Sequence, residues 1–208
     1  DPGRDTEAKM IEFLKAAKGM PHKPLVIAHH AARSAPGLGV YGQDTPREFR
    51  NGNDVAPDVY VGFEGAPGHQ AGPLTGGARG GYGNYPTHGG FDQMTARVGG
   101  LWDSLLGEGR KWWITATSDS HVHHTRGGSD FWPGEYSKTY VHARQDYADI
   151  MDGLRTGRIF VTTGDLVTSL DLSARNRGDR ATVGQTLALR RREPWPERPG
   201  AEHHERRS

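Results

Sequence analysis

An α/β fold with a mainly parallel sheet is predicted by two observations. Short β-branched apolar runs alternate along the chain with segments whose apolar residues recur at helical spacing. Several of those runs also end in histidine or a carboxylate, and the C-terminal ends of strands are where α/β proteins gather their functional residues.

The elements follow in order. Met10, Phe13, Leu14 and Ala17 share a helical face, closed by Gly19 and Pro21. PLVIAHH (24–30) predicts a strand ending in His29 and His30. Residues 31–57, rich in Gly, Pro, Asn and Asp, predict a long loop. DVYVGFEG (58–65) predicts a second strand ending at Glu64, and 66–90 is almost a glycine linker. A stretch of that length without regular structure is usually functional or disordered.

Met94, Val98, Leu101 and Leu105 predict one amphipathic helix, closed by Gly107 and Gly109. KWWITATS (111–118) is a third strand and KTYVHA (138–143) a fourth. A helix carrying Tyr147, Ile150, Met151 and Leu154 comes next. RIFVTTG (158–164) and LVTSLDLS (166–173) complete the strands. From Arg190 to Ser208 the chain is charged, proline-containing and aperiodic, which predicts a disordered tail.

Composition narrows the function classes. The 25 acidic and 26 basic residues nearly cancel, so no general nucleic-acid or anionic-membrane surface is expected. No apolar run approaches the roughly 20 residues that span a bilayer, and DPGRDTEAKM carries no basic-then-apolar leader pattern. With no cysteine, thiolate metal sites and disulfides are excluded. Oxygen and imidazole remain as metal-binding chemistry, and the compartment stays open.

The stretch WITATSDSHVHHTRGG (113–128) concentrates that chemistry. Asp119 and His121 stand two apart, so in extended chain both reach one side. Zn²⁺, Mn²⁺ and Fe²⁺ accept such a mixture of oxygen and nitrogen. The alternative is that Asp119 caps a loop and His121 is solvated. His29 and His30 end their strand in the same way, as a ligand and its neighbour or as an edge pair satisfied by carbonyls. Glu64 is either a site carboxylate or a loop cap. His123 and His124 extend the cluster or are solvated, and His69 and His88 fall in the glycine-rich stretch. Arg33 offers a guanidinium for an anionic substrate or a surface ion pair. Trp102, Trp112, Trp113 and Trp132 read as core or pocket wall. No phosphate-binding loop and no Gly-x-Ser-x-Gly elbow is present.

Two segments carry a resemblance. LVIAHHAAR resembles the strand ending in Ala-His-Pro of the PHP (polymerase and histidinol phosphatase) metal-dependent phosphoesterases. LWDSLLGEGRKWWITATSDSH (101–121) resembles their later block, a helix with Trp-Asp-x-Leu-Leu before a strand ending in Ser-Asp-x-His. The branch it is most similar to includes carbaryl-hydrolase-like metallohydrolases, over residues 5 to 170. The resemblance implies the C-terminal part of a distorted (β/α)7 barrel with metals at the C-terminal mouth. It implies His29, Asp119 and His121 as ligands of divalent Zn, Mn or Fe, with Glu64 behind the metals or on substrate. Beside these ligands, His123, His124 or Arg33 would protonate the leaving group or clamp a small anionic ester. His30 stands where the family has proline. The family's opening His-x-His finds no counterpart in residues 1–28, so the chain is expected to be the later part of such a domain.

This gives a metallohydrolase-like domain over 1–175, the start of a β appendage over 176–189 and the tail over 190–208. Two other readings stand beside a metal-dependent phosphoesterase. One is a non-catalytic metal- or ligand-binding remnant of such a domain, and the other is a carbohydrate-binding module built on the tryptophans and glycine-rich loops.

Overall fold

The computed structural model describes residues 6–29, 31, 44–67, 90–117, 137–163, 170–173 and 188–191. It divides into two units, Asp1–Gly164 and Asp165–Ser208. The first is a mixed α/β unit with a three-stranded parallel sheet.

Helix α1 (Glu7–Lys18) begins where the Thr6 side chain accepts the Lys9 N–H at 3.3 Å and ends at Gly19. Glu7 in the first turn and Lys15 and Lys18 in the last complement the helix dipole. Its inner face buries Leu14 and Ala17, while Phe13 on the other side stays exposed.

Strand β1 (Val26–Ala28) is shorter than its apolar run. The expected loop over 31–57 is corrected at its second half, where helix α2 (Pro46–Val55) forms. Its sequence PREFRNGNDV is poor in helix formers, but its start is strongly specified. The Thr45 hydroxyl accepts the Glu48 N–H, Glu48 Oε2 accepts the Thr45 N–H at 2.7 Å, and Pro46 occupies the first turn. Phe49 then enters the core, and the bare Cα of Gly52 lets the Tyr60 ring approach.

Strand β2 (Tyr60–Ala66) is buried along its whole length. It is the middle strand, parallel both to β1 and to β3 (Trp113–Ala116). A strand covered on both faces needs the near-continuous apolar run seen here. Over it lies an aromatic cluster in which Trp112 meets Phe49, Tyr60 and Phe63, with ring centroids 5.5, 4.9 and 6.0 Å away.

The single helix expected from Met94 to Leu105 is in fact two. Helix α3 (Gln93–Ala96) ends at Arg97, whose backbone is extended, and α4 (Leu101–Gly107) starts afresh from Gly100. Gly99 between them has φ +72°, a region that glycine enters without steric cost. The break leaves Val98 exposed, while Met94, Leu101 and Leu105 remain in the core.

Strand β4 (Ser137–Val141), helix α5 (Tyr147–Thr156) and strand β5 (Ile159–Thr163) follow. The three-stranded sheet is parallel throughout, as expected, whereas β4 and β5 pair antiparallel in a sheet of their own. Tyr140 lies opposite Phe160, their rings stacked at 4.7 Å. Thr139 Oγ1 joins this pair to β3, accepting the Ala116 N–H at 2.8 Å and donating to the Ala116 carbonyl at 3.2 Å. The Arg155 guanidinium donates to the carbonyls of Lys23 and Asp58, tying α5 to the chain just before β1 and β2.

Gly157 ends α5 at φ +77°, and a Cβ there would lie 2.5 Å from the Trp113 ring. Gly157→Ala therefore meets both backbone strain and a clash. It is expected to lower the unfolding free energy by about 1–3 kcal/mol, read as a reduced urea midpoint. An unchanged midpoint would contradict the packing of Gly157 on Trp113.

The second unit holds β6 (Leu170–Ser173) and β7 (Ala188–Arg191), paired antiparallel with Leu172 opposite Leu189. Strand β7 takes in Arg190 and Arg191, the first two residues of the segment expected to be a disordered tail.

Candidate functional site

Because β1, β2 and β3 run parallel, their C-terminal ends share one edge of the sheet. Neighbouring strands lie about 4.8 Å apart, so chemistry on the three ends is within reach of a small ligand. His29 directly follows β1 and is exposed. Ala28 pairs with Phe63, which sets His29 beside the level of Glu64 on β2.

Glu64 is fully buried. Thr117, just beyond β3, donates its hydroxyl to Glu64 Oε1, and its N–H extends the ladder to the Ala66 carbonyl at 3.4 Å. Thr115 lies directly opposite Glu64 in register, so the two side chains share a sheet face. The Thr115 hydroxyl is buried without a hydrogen-bond partner among the described residues. A fixed carboxylate and an unsatisfied hydroxyl thus lie opposite each other near the strand ends, where a buried polar group without a partner calls for an explanation.

A second carboxyl, Asp92, arrives from the segment before α3. Its N–H donates to the Gly65 carbonyl at 2.9 Å, and its Oδ1 accepts the Thr95 N–H at 3.0 Å. The approach needs glycine at 65, since a Cβ there would stand 2.5 Å from Thr95 Oγ1. Burial pushes the Asp92 carboxyl up to about 7, and the Glu64 charge acts in the same direction. In the sequence Asp92 is marked only by an N-cap signal, an aspartate three residues before Thr95.

Of the residues singled out from sequence, His29 and Glu64 stand at this edge. Asp119, His121, His123 and Arg33 lie outside the described residues, as do His30, His69, His88 and His124. Strand β3 ends at Ala116, three positions before Asp119. His142 follows β4, exposed, with its backbone N–H on the Arg158 carbonyl. Among the described residues no three His, Asp or Glu side chains form a group able to hold a metal ion.

The tryptophans divide. Trp112 is core, whereas Trp102 and Trp113 line a mostly apolar cavity of about 450 Å³ with Phe91 and Phe160. Their indole N–H groups are tied to the carbonyls of Trp112 and Arg155, both at 3.1 Å. Among the described residues no helix is long and apolar enough to cross a membrane.

Comparison with protein-family models, with curated proteins and with solved structures finds no match to this chain.

Proposed function

We propose that the chain is a metal-dependent hydrolase of the PHP type acting on a small anionic ester, with His29, Asp119 and His121 as ligands of a divalent ion. The observation that carries the reading is the parallel order of β1, β2 and β3. It puts His29 beside Glu64 at one edge and ends the third strand, at that same edge, three positions before Asp119. The buried, unsatisfied Thr115 hydroxyl and the anchored Glu64 carboxylate fit the surroundings of a hard or borderline cation.

A bound divalent ion supplies Lewis acidity and a more acidic water near neutral pH. The rest falls to the chain's own residues. Glu64, tied to Thr117, contributes negative charge that attracts a cation to the edge. Arg33 clamps the anionic group of the ester in two-point fashion. His123 gives a proton to the departing oxygen, a general-acid role that imidazole commonly takes.

Hydrolysis of p-nitrophenyl phosphate with added Mn²⁺ or Zn²⁺ tests the reading. The expected result is turnover that a chelator stops and that His29→Ala lowers by at least about tenfold, the scale of losing a group in or around a metal's ligand set. Turnover indifferent to both chelator and His29→Ala would rule it out. So would absence of metal-stimulated hydrolysis across phosphomonoesters, phosphodiesters and carboxylic esters.

A further inference from the structure

A buried carboxyl stands beside the proposed site without belonging to its ligand set. Asp92 is fully buried, as is Glu64 on β2. Its N–H on the Gly65 carbonyl and its Oδ1 under the Thr95 N–H fix it between the end of β2 and α3. Its other oxygen, Oδ2, has no hydrogen-bond partner among the described residues. A charged carboxylate oxygen buried without a donor is costly, and the neutral acid avoids that cost.

We infer that Asp92 is a proton-operated latch between β2 and α3, closed while its carboxyl is neutral and loosened when it ionises. Burial is the largest cause that raises its proton affinity, and Glu64 is the charged group that adds to it. From α3, Thr95 acts on it through both its backbone N–H and its hydroxyl, and Met94 through its backbone N–H; all three favour the ionised form and none titrates. From β3, Ile114 packs beside Gly65 and carries no charge. The latch stands on the β2–α3 junction alone and needs no metal. Its failure would therefore leave the metallohydrolase reading untouched, and the reverse also holds.

The sign follows from proton counting. An aspartate in the unfolded chain gives up its proton near pH 4, whereas native Asp92 keeps it to about pH 7. Between these values the native state binds more protons than the unfolded state, so this group's contribution makes stability fall as pH rises.

The experiment is urea unfolding of the full chain in chelator-containing buffer from pH 4.5 to 8, for wild type and Asp92→Asn. Asparagine keeps the shape and caps a helix about as well, but it has no proton to lose. The ratio of the wild-type to the variant unfolding constant is expected to rise by up to about tenfold per pH unit and to level off near neutrality. A ratio flat across that window overturns the latch. Wild type alone gives a second reading that requires no variant to fold. A protonated-carboxyl infrared band that disappears as pH rises through neutrality supports the latch, and the absence of such a band at pH 6 overturns it.

Discussion

Asp119→Ala is expected to remove metal-stimulated hydrolysis, by more than about 100-fold. Groups that merely orient a metal ligand cost about 10–100-fold when lost, and a direct ligand costs more. Asp119 carries the largest expected effect because it combines formal charge with its place just beyond the end of β3. Asp119→Asn separates charge from shape, since the amide keeps one carbonyl oxygen but loses the negative charge. It should recover only a small part of the lost rate. Stopped assays across a range of Mn²⁺ concentrations read both variants, and near-wild-type turnover by the alanine variant at low Mn²⁺ would remove Asp119 from the site.

The largest expected effect on stability belongs to Trp112→Ala. The indole is fully buried and touches Phe49, Tyr60 and Phe63 at once. Truncation in such a position costs about 3–5 kcal/mol, a large share of the 5–15 kcal/mol that ordinarily holds a domain together. Trp112→Phe behaves differently. The Trp112 Nε1–H is buried without a hydrogen-bond partner among the described residues, so phenylalanine removes an unsatisfied donor while keeping most of the ring contacts. It should cost clearly less than the alanine variant, because a smaller cavity is left. Denaturant midpoints for the pair decide the matter, and equal losses in both variants would mean that ring packing is not what Trp112 contributes.

The elements legible in the sequence are those that local pattern alone determines. Helices α1 and α5 and the apolar runs of β2 and β3 show in their residue spacing, although Phe13 on α1 and Tyr147 and Ile150 on α5, expected on the inner faces, are exposed. Gly19 and Gly157 mark helix ends in the positions glycine favours. Helix α2 was hidden because Arg47, Asn51, Gly52, Asn53 and Asp54 together look like loop. Its specification sits in Thr45, Pro46 and Glu48 rather than in an apolar stripe. The division between α3 and α4 was hidden for the opposite reason. Met94, Val98, Leu101 and Leu105 keep helical spacing across a break set by the φ of Gly99.

Strand direction is a tertiary property, and nothing local in KTYVHA says that β4 will run against β5. At the candidate site, His29 and Glu64 were visible because a polar group in or after an apolar run stands out, although Glu64 lies two residues before the end of β2 rather than at it. Asp92, Thr115 and Thr117 were not. Their importance lies in burial and in partners brought together across strands: Thr117 acts on a residue 53 positions away, and Asp92 depends on Gly65.

The central claim is that the ends of β1 and β3 serve one divalent ion on either side of β2. Calorimetric titration of Mn²⁺ into wild type, His29→Ala, Asp119→Ala and the double variant tests it most directly. If both side chains hold the same ion, each single substitution weakens binding severely and the double variant binds scarcely worse than either single one, because their effects couple. Strictly additive losses would place the two residues at separate sites. Stoichiometric binding that neither substitution disturbs would contradict the account.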